Sequence, residues 1–160
     1  MISLIEVLRL HHWIKNLLIF LPFVASQQAF SANVLQNLFL GFLSFGLLAS
    51  ATYILNDILD LKNDQKHITK KYRPIPSGKI SIQTGFLIII LLIAAIFFIT
   101  KKFEENNFLL YLIAYLGLSL SYSLYLKKIV LLDCFLLSIL YTIRIFAGGE
   151  LVNIIPSFWL

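Results

Sequence analysis

Residues Val34 to His67 read VLQNLFLGFLSFGLLASATYILNDILDLKNDQKH, and the reading of this stretch decides the fold. Its apolar part, about 34–57, carries no charge before Asp57 and is long enough to cross a bilayer, which takes about 20 mostly apolar residues. Asp57, Asp60 and Asp64 then follow in quick succession. A chain that is otherwise sparing with charge places three carboxylates at the end of an apolar helix.

The flanking sequence repeats the apolar theme. No Asp, Glu, Lys or Arg occurs in 16–56, in 80–100 or in 106–126. The first of these runs accommodates two spans and each of the others one. Hydrophobic residues make up 59% of the 160 and charged residues 13%, with a mean hydropathy of +0.88. Soluble domains carry about 25% charged residues. The expected fold is therefore all-α: a polytopic transmembrane helical bundle, read across 1–160 as one domain. Spans are predicted at about 14–30, 34–57, 81–100, 107–126 and 129–147. Pro22 lies inside the first, where a membrane helix tolerates it. The final FWL reads as the start of a sixth span.

The basic residues set the orientation. With the N-terminus in the cytoplasm, Arg9, Lys15, Lys62, Lys66, Lys70, Lys71, Arg73, Lys79, Lys127 and Lys128 all fall inside. Lys101 and Lys102 fall outside, beside Glu104 and Glu105. The positive-inside rule favours that arrangement. The net charge of +5 thus reflects topology and contact with anionic lipid or phosphate, and nucleic acid is not an expected partner. His11, His12 and Trp13 interrupt the N-terminal segment, which does not read as a signal peptide. Cys134 is the single cysteine, so the sequence offers no internal disulfide, and it reads as packing.

Residues three, four and seven apart share a helix face. Asp57, Asp60 and Asp64 fit that spacing, as does Tyr53 one turn earlier, with Asn56 beside the first carboxylate. Like charges at a membrane boundary need a cation. Mg²⁺ suits them, because it is usually held by one or two carboxylates plus substrate phosphates and water. The next segment, KHITKKYRPIPSGK, brings Lys70, Lys71 and Arg73, and Arg grips phosphate oxygens in a bidentate fork. Carboxylates beside cations make a site for a diphosphate–Mg²⁺ substrate. The bland alternative is a solvated helix end whose acids pair with Lys62, Lys66 or Lys70.

NDILDLKND resembles the first aspartate-rich motif, N-D-x-x-D-x-x-x-D, of the UbiA-type intramembrane prenyltransferase superfamily. LRLHHWIKNLLIFLP resembles the R-x-x-x-W-x-K-N opening of its decaprenyl-phosphate phosphoribosyltransferase branch, and DQKHITKKYRPIPSGKIS that branch's H-x-x-K-x-x-R-P-[IL]-x-x-G loop. YSLYLKKIVLLD and IRIFAGG resemble its later signatures.

The resemblance implies a transferase of the plasma membrane with its site on the cytoplasmic face. It would move 5-phosphoribosyl from phosphoribosyl diphosphate to a polyprenyl phosphate, with Mg²⁺ as cofactor, for cell-envelope precursor synthesis. Asp57, Asp60 and Asp64 are the expected metal and catalytic residues. Lys15, Asn16, Asn56, Lys70, Lys71, Arg73, Tyr122, Lys127 and Asp133 are the expected substrate contacts. A homo-oligomer is compatible with this reading. The resemblance also implies about nine helices and a second polar motif, so the chain is expected to be the N-terminal half of such a fold.

Two other readings compete: a UbiA-type enzyme moving a prenyl group from prenyl diphosphate to an aromatic acceptor, and an inactive truncated paralogue or membrane assembly subunit. His67 reads as a surface residue, Tyr111 and Tyr115 as packing. Asp133 and Arg144 lie about 16 Å apart along one helix and cannot pair with each other. Arg144 is left equally open to a structural and a functional role.

Overall fold

The computed structural model describes residues 2–27, 29, 31–103, 107–124 and 130–154, and at 2–4, 130, 131 and 133 the backbone alone. Every regular element among them is helical. In chain order these are α1 (Ile2–Leu8), a 3₁₀ helix (Leu10–Phe20), α2 (Leu21–Ala25), α3 (Ala32–Leu59), α4 (Leu61–Lys66), α5 (Ile82–Thr100), α6 (Phe108–Leu124) and α7 (Val130–Leu151). Single 3₁₀ turns lie at Lys70–Tyr72 and Lys101–Phe103. The chain is an all-α membrane bundle. Three helical stretches are long and apolar enough to cross a membrane: Ala32–Leu59, Ile82–Phe103 and Cys134–Leu151. Two shorter apolar helices, Leu10–Ala25 and Phe108–Leu124, occupy the places expected for spans one and four.

Burial separates the helices by role. The most apolar window of α3 is 61% buried, whereas that of α5 is 11% buried. α3 is the axis of the bundle, touching α1, the 3₁₀ helix, α5, α6 and α7. α5 packs on α3 and turns Leu87, Ile90, Leu91, Phe97 and Phe98 outward. In water that patch would drive association, but it matches hydrocarbon. Cys134 is exposed on α7. The main core gathers Phe45 with Phe108 and Tyr115, whose rings meet it edge-on at 5.9 and 5.4 Å. A smaller core of Val7, Ala51, Ile54, Ile75, Ile80 and Leu92 lies under the loop that follows α4.

The first apolar helix begins earlier than expected, at Leu10, and ends at Ala25. Both limits are backbone devices. Arg9 adopts the left-handed conformation (φ 51°, ψ 48°) and separates α1 from the 3₁₀ helix. Gln27 (φ 52°) sits just past the C-cap Ser26, where a left-handed residue commonly closes a helix. Three residues per 3₁₀ turn put Trp13, Asn16 and Ile19 in one row. That row faces the bundle, while Ile14 and Leu17 are exposed.

Two glycines let this row approach closely. A Cβ on Gly46 would lie 2.6 Å from the Trp13 indole, and one on Gly148 would lie 2.0 Å from the Ile19 carbonyl oxygen. The second obstacle is backbone and cannot swing aside. Gly148→Ala is expected to destabilise the fold by about 1–3 kcal/mol. Gly117→Ala, where nothing lies within 4 Å, is expected to be neutral or slightly stabilising. Thermal unfolding of the two variants in detergent checks the contrast.

Candidate active site

The aspartate-rich stretch does not continue as one helix. α3 stops at Leu59, and Asp60 takes φ −88°, ψ 7°, the sparsely populated bridge region. Its backbone joins both sides: its N–H donates to the Asn56 carbonyl at 2.9 Å, and its carbonyl accepts from Asn63 and Asp64 at 2.9 and 2.8 Å. Asp60 thus separates α3 from α4, with Asp57 on the first and Asp64 on the second.

Asp57 is 2% exposed and faces two guanidinium groups. Arg9 Nη2 donates to both of its oxygens, at 2.6 and 2.7 Å. Arg73 Nη1 donates to Asp57 Oδ1 at 3.1 Å and to Asp64 Oδ2 at 2.8 Å, so one nitrogen ties the two acids. Lys70 Nζ lies 3.8 Å from the other oxygen of Asp64. Asp64, on the next helix, is as buried as Asp57 because Arg73 and Lys70 cover it. Sequence reading named Arg9 as a topology charge; its place in R-x-x-x-W-x-K-N was the signal that it does more. The left-handed backbone at Arg9, unfavourable for a side chain of this size, sits where its guanidinium meets Asp57.

The rest of that opening is accounted for in the same way. Trp13 Nε1 donates to Ser50 Oγ at 3.0 Å, and Ser50 Oγ donates to the Leu8 carbonyl at 2.6 Å. Lys15 Nζ sits 5.9 Å from the Tyr141 ring centre, in cation–π range. Asn16, 1% exposed, accepts from Arg144 Nε at 2.8 Å.

The basic loop is rigid rather than a loose tether. Pro74, Ile75 and Pro76 are buried, and Ile80 N donates back to the Pro74 carbonyl at 3.0 Å. Gly78 makes the turn with φ 78°, which favours glycine. His67 Nδ1 accepts from the Thr69 and Lys70 backbone N–H groups at 3.2 and 3.4 Å, so it closes a turn. Lys71 is exposed and rests on the Tyr72 ring, away from the acids.

Two clefts adjoin this network. The first, about 390 Å³, is lined by Asp60, Asn63, Asp64, Lys70, Ser123, Leu59 and Leu124. The second is smaller, about 100 Å³, and lies deeper among α3, α6 and α7, with Asn56, Tyr122, Lys15 and Arg144 on its walls. Ser123 Oγ donates to Asn56 Oδ1, so a single hydrogen bond forms part of the wall between the clefts. Tyr115, read from sequence as packing, is buried but also donates a wall to the inner cleft and accepts from Arg144 Nη2 at 3.1 Å. Lys127 lies outside the described residues, as does the side chain of Asp133.

Among the described residues, no three acidic, thiol or imidazole side chains converge as a ready metal cage. The donor set of the outer cleft still fits Mg²⁺: two carboxylates, Asp60 and Asp64, and the Asn63 amide offer hard oxygen, and this ion takes its remaining ligands from substrate phosphates and water. Lys70 at the same cleft supplies positive charge for a phosphate.

The model of the UbiA prenyltransferase family matches residues 17–160. The chain belongs to that family. It is 38% identical over 157 residues to nodulation protein NoeC of Azorhizobium caulinodans, covering 97% of this chain and 50% of that protein. It is 32% identical over 161 residues to decaprenyl-phosphate phosphoribosyltransferase of Mycolicibacterium smegmatis, covering 98% of this chain and 50% of that protein. A solved structure from work on digeranylgeranylglyceryl phosphate synthase in membranes superposes with a TM-score of 0.75 at 20% identity, over 94% of this chain and 54% of that one. The fold is thus shared with about half of that structure. The chain spans about half the length of these relatives.

Proposed function

We propose that the complete protein is a membrane-embedded transferase that moves 5-phosphoribosyl from phosphoribosyl diphosphate to a polyprenyl phosphate. The observation that carries this reading is the outer cleft, where Asp60 and Asp64 stand beside Lys70 at one end of an apolar bundle. Such a cleft suits a water-soluble diphosphate brought to a lipid partner. The likeness to decaprenyl-phosphate phosphoribosyltransferases supports the choice of donor, since it runs along the whole chain and includes the opening and the loop.

In this reading an oxygen of the lipid phosphate attacks C1 of the ribose, and the C1–O bond to diphosphate breaks with its electron pair leaving on diphosphate. The nucleophile is already ionised, so no general base is required. Mg²⁺, when bound, would neutralise the diphosphate as charge develops on it. Asp60 and Asp64 would hold the ion, with Asn63 near. Lys70 would meet a phosphate oxygen, and Lys71 would reach the same anion by swinging off Tyr72. Asp57 would keep Arg73 aimed at the cleft. The basic end faces the cytoplasm, where the donor is found.

A second reading, prenyl transfer from a prenyl diphosphate, draws on a 38% identity over 81 residues to digeranylgeranylglyceryl phosphate synthase of Saccharolobus solfataricus. Incubating the complete gene product in lipid with Mg²⁺, polyprenyl phosphate and labelled phosphoribosyl diphosphate separates the two. Label is expected in a lipid-soluble product. Label that stays in water, with prenyl transfer seen from a prenyl diphosphate, would replace the first reading by the second.

A further inference from the structure

Arg144 is the most expensive group in the bundle. It is 5% exposed in a helix long and apolar enough to span a membrane, and no carboxylate pairs with it among the described residues. A buried charge in a membrane helix needs a partner or a function. Its guanidinium donates to Asn16 Oδ1, to the Leu140 carbonyl and to the Tyr115 hydroxyl. It also lies 4.7 Å from the Tyr115 ring centre and 5.7 Å from that of Tyr141. All of these partners are neutral. An arginine has five N–H donors, so two remain without an acceptor among the described residues. Next to it the Asn16 amide nitrogen is buried and has no hydrogen-bond partner either.

The inner cleft beside Arg144 has the matching chemistry. Lys15 stands on the same cleft, and the rest of its polar lining among the described residues is the Asn56 amide and six hydroxyls (Thr52, Tyr53, Tyr115, Ser119, Tyr122, Tyr141). Two cations and a ring of hydroxyls suit an anion rich in acceptor oxygens. The volume of about 100 Å³ has room for a phosphate-sized group. Leu137 and Tyr141 line the cleft and are also 38% and 36% exposed on the apolar outside of α7. A long apolar tail attached to that anion would leave along this face into lipid.

We propose that the inner cleft is a phosphomonoester site, with Arg144 and Lys15 as its cations, and that it holds the phosphate of the lipid acceptor. The anion site stands on geometry alone; the lipid as its occupant rests on the phosphoribosyl-transfer reading. The Asn56–Ser123 hydrogen bond then lies between acceptor phosphate and donor diphosphate, so the two anions approach from opposite sides of a shared wall.

The test measures equilibrium binding to the complete gene product in detergent with four probes: a polyprenyl phosphate, the uncharged polyprenol, inorganic phosphate, and phosphoribosyl diphosphate with Mg²⁺. Arg144→Gln is expected to weaken polyprenyl phosphate binding about 10- to 100-fold, the size of a lost charged hydrogen bond. Polyprenol and phosphoribosyl diphosphate binding should stay within about threefold of wild type. Lys15→Gln changes an exposed residue that leaves the core intact, and is expected to weaken the same probe about three- to tenfold. Wild-type lipid affinity in Lys15→Gln together with wild-type affinity, or loss of all binding, in Arg144→Gln overturns the proposal. Arg144-dependent binding of inorganic phosphate with Arg144-independent binding of polyprenyl phosphate also overturns it, as the cleft would then serve free phosphate. Arg144-dependent lipid binding without formation of a ribosylated lipid leaves this site standing and removes the phosphoribosyl-transfer reading instead.

Discussion

Replacing Arg9 with methionine is expected to destabilise the bundle by about 3–5 kcal/mol, the usual result of removing one partner from a buried ion pair. Arg9 grips both oxygens of Asp57, and Asp57 is 2% exposed, so water cannot take over the lost contacts. Arg73 still reaches Asp57 at 3.1 Å, which places the outcome nearer the lower end. The double variant Arg9→Met with Asp57→Asn should recover part of the loss, because no carboxylate is then left buried beside a missing cation. Unfolding in detergent, run as a double-mutant cycle, checks this. Additive effects would mean that the pair is incidental to stability.

Asp60→Asn and Asp64→Asn are expected to lower transfer by about 10²- to 10³-fold each, as when one stabilising group is taken from a reacting centre. Each change keeps the shape of the side chain and removes the charge that would hold Mg²⁺. Asp64→Asn has a second readout. Asp64 is also bound to Arg73 and within 3.8 Å of Lys70, so Asp64→Asn should lower the unfolding temperature as well. Raising Mg²⁺ should restore part of the activity of either variant. Turnover at the wild-type rate in both would remove the outer cleft as the metal site.

Much of this architecture is legible without coordinates. The charge-free runs mark where the apolar helices lie, because hydrocarbon penalises charge wherever the chain crosses it. The loop after α4 is equally readable: Pro74 and Pro76 restrict the backbone, Gly78 permits the turn, and the structure buries both prolines. The aspartates were identified as a group, but the cations that hold them were not. Spacing of seven brings Asp57 and Asp64 to one side, where Arg73 meets both, but spacing does not record which cations arrive there. Arg9 shows the same limit. A basic residue near a span end is ordinarily a topology signal, and only the packing of α1 on α3 brings it to Asp57, forty-eight positions away.

The sequence by itself determined an all-α membrane bundle, because hydropathy acts residue by residue and needs no partner to be read. It also determined the types of group at the site, carboxylates followed by Lys and Arg. The tertiary structure alone decided how those groups are shared. It turned the opening segment into a 3₁₀ helix whose Trp13, Asn16 and Ile19 row packs inward, closed by Gly46 and Gly148. It tied Asp57 to two arginines and left Asp60 and Asp64 on the outer cleft. It set Arg144 in a second cleft beside Lys15. The physical reason is that charge pairing and burial depend on approach in space between residues far apart in the chain, which local periodicity does not record.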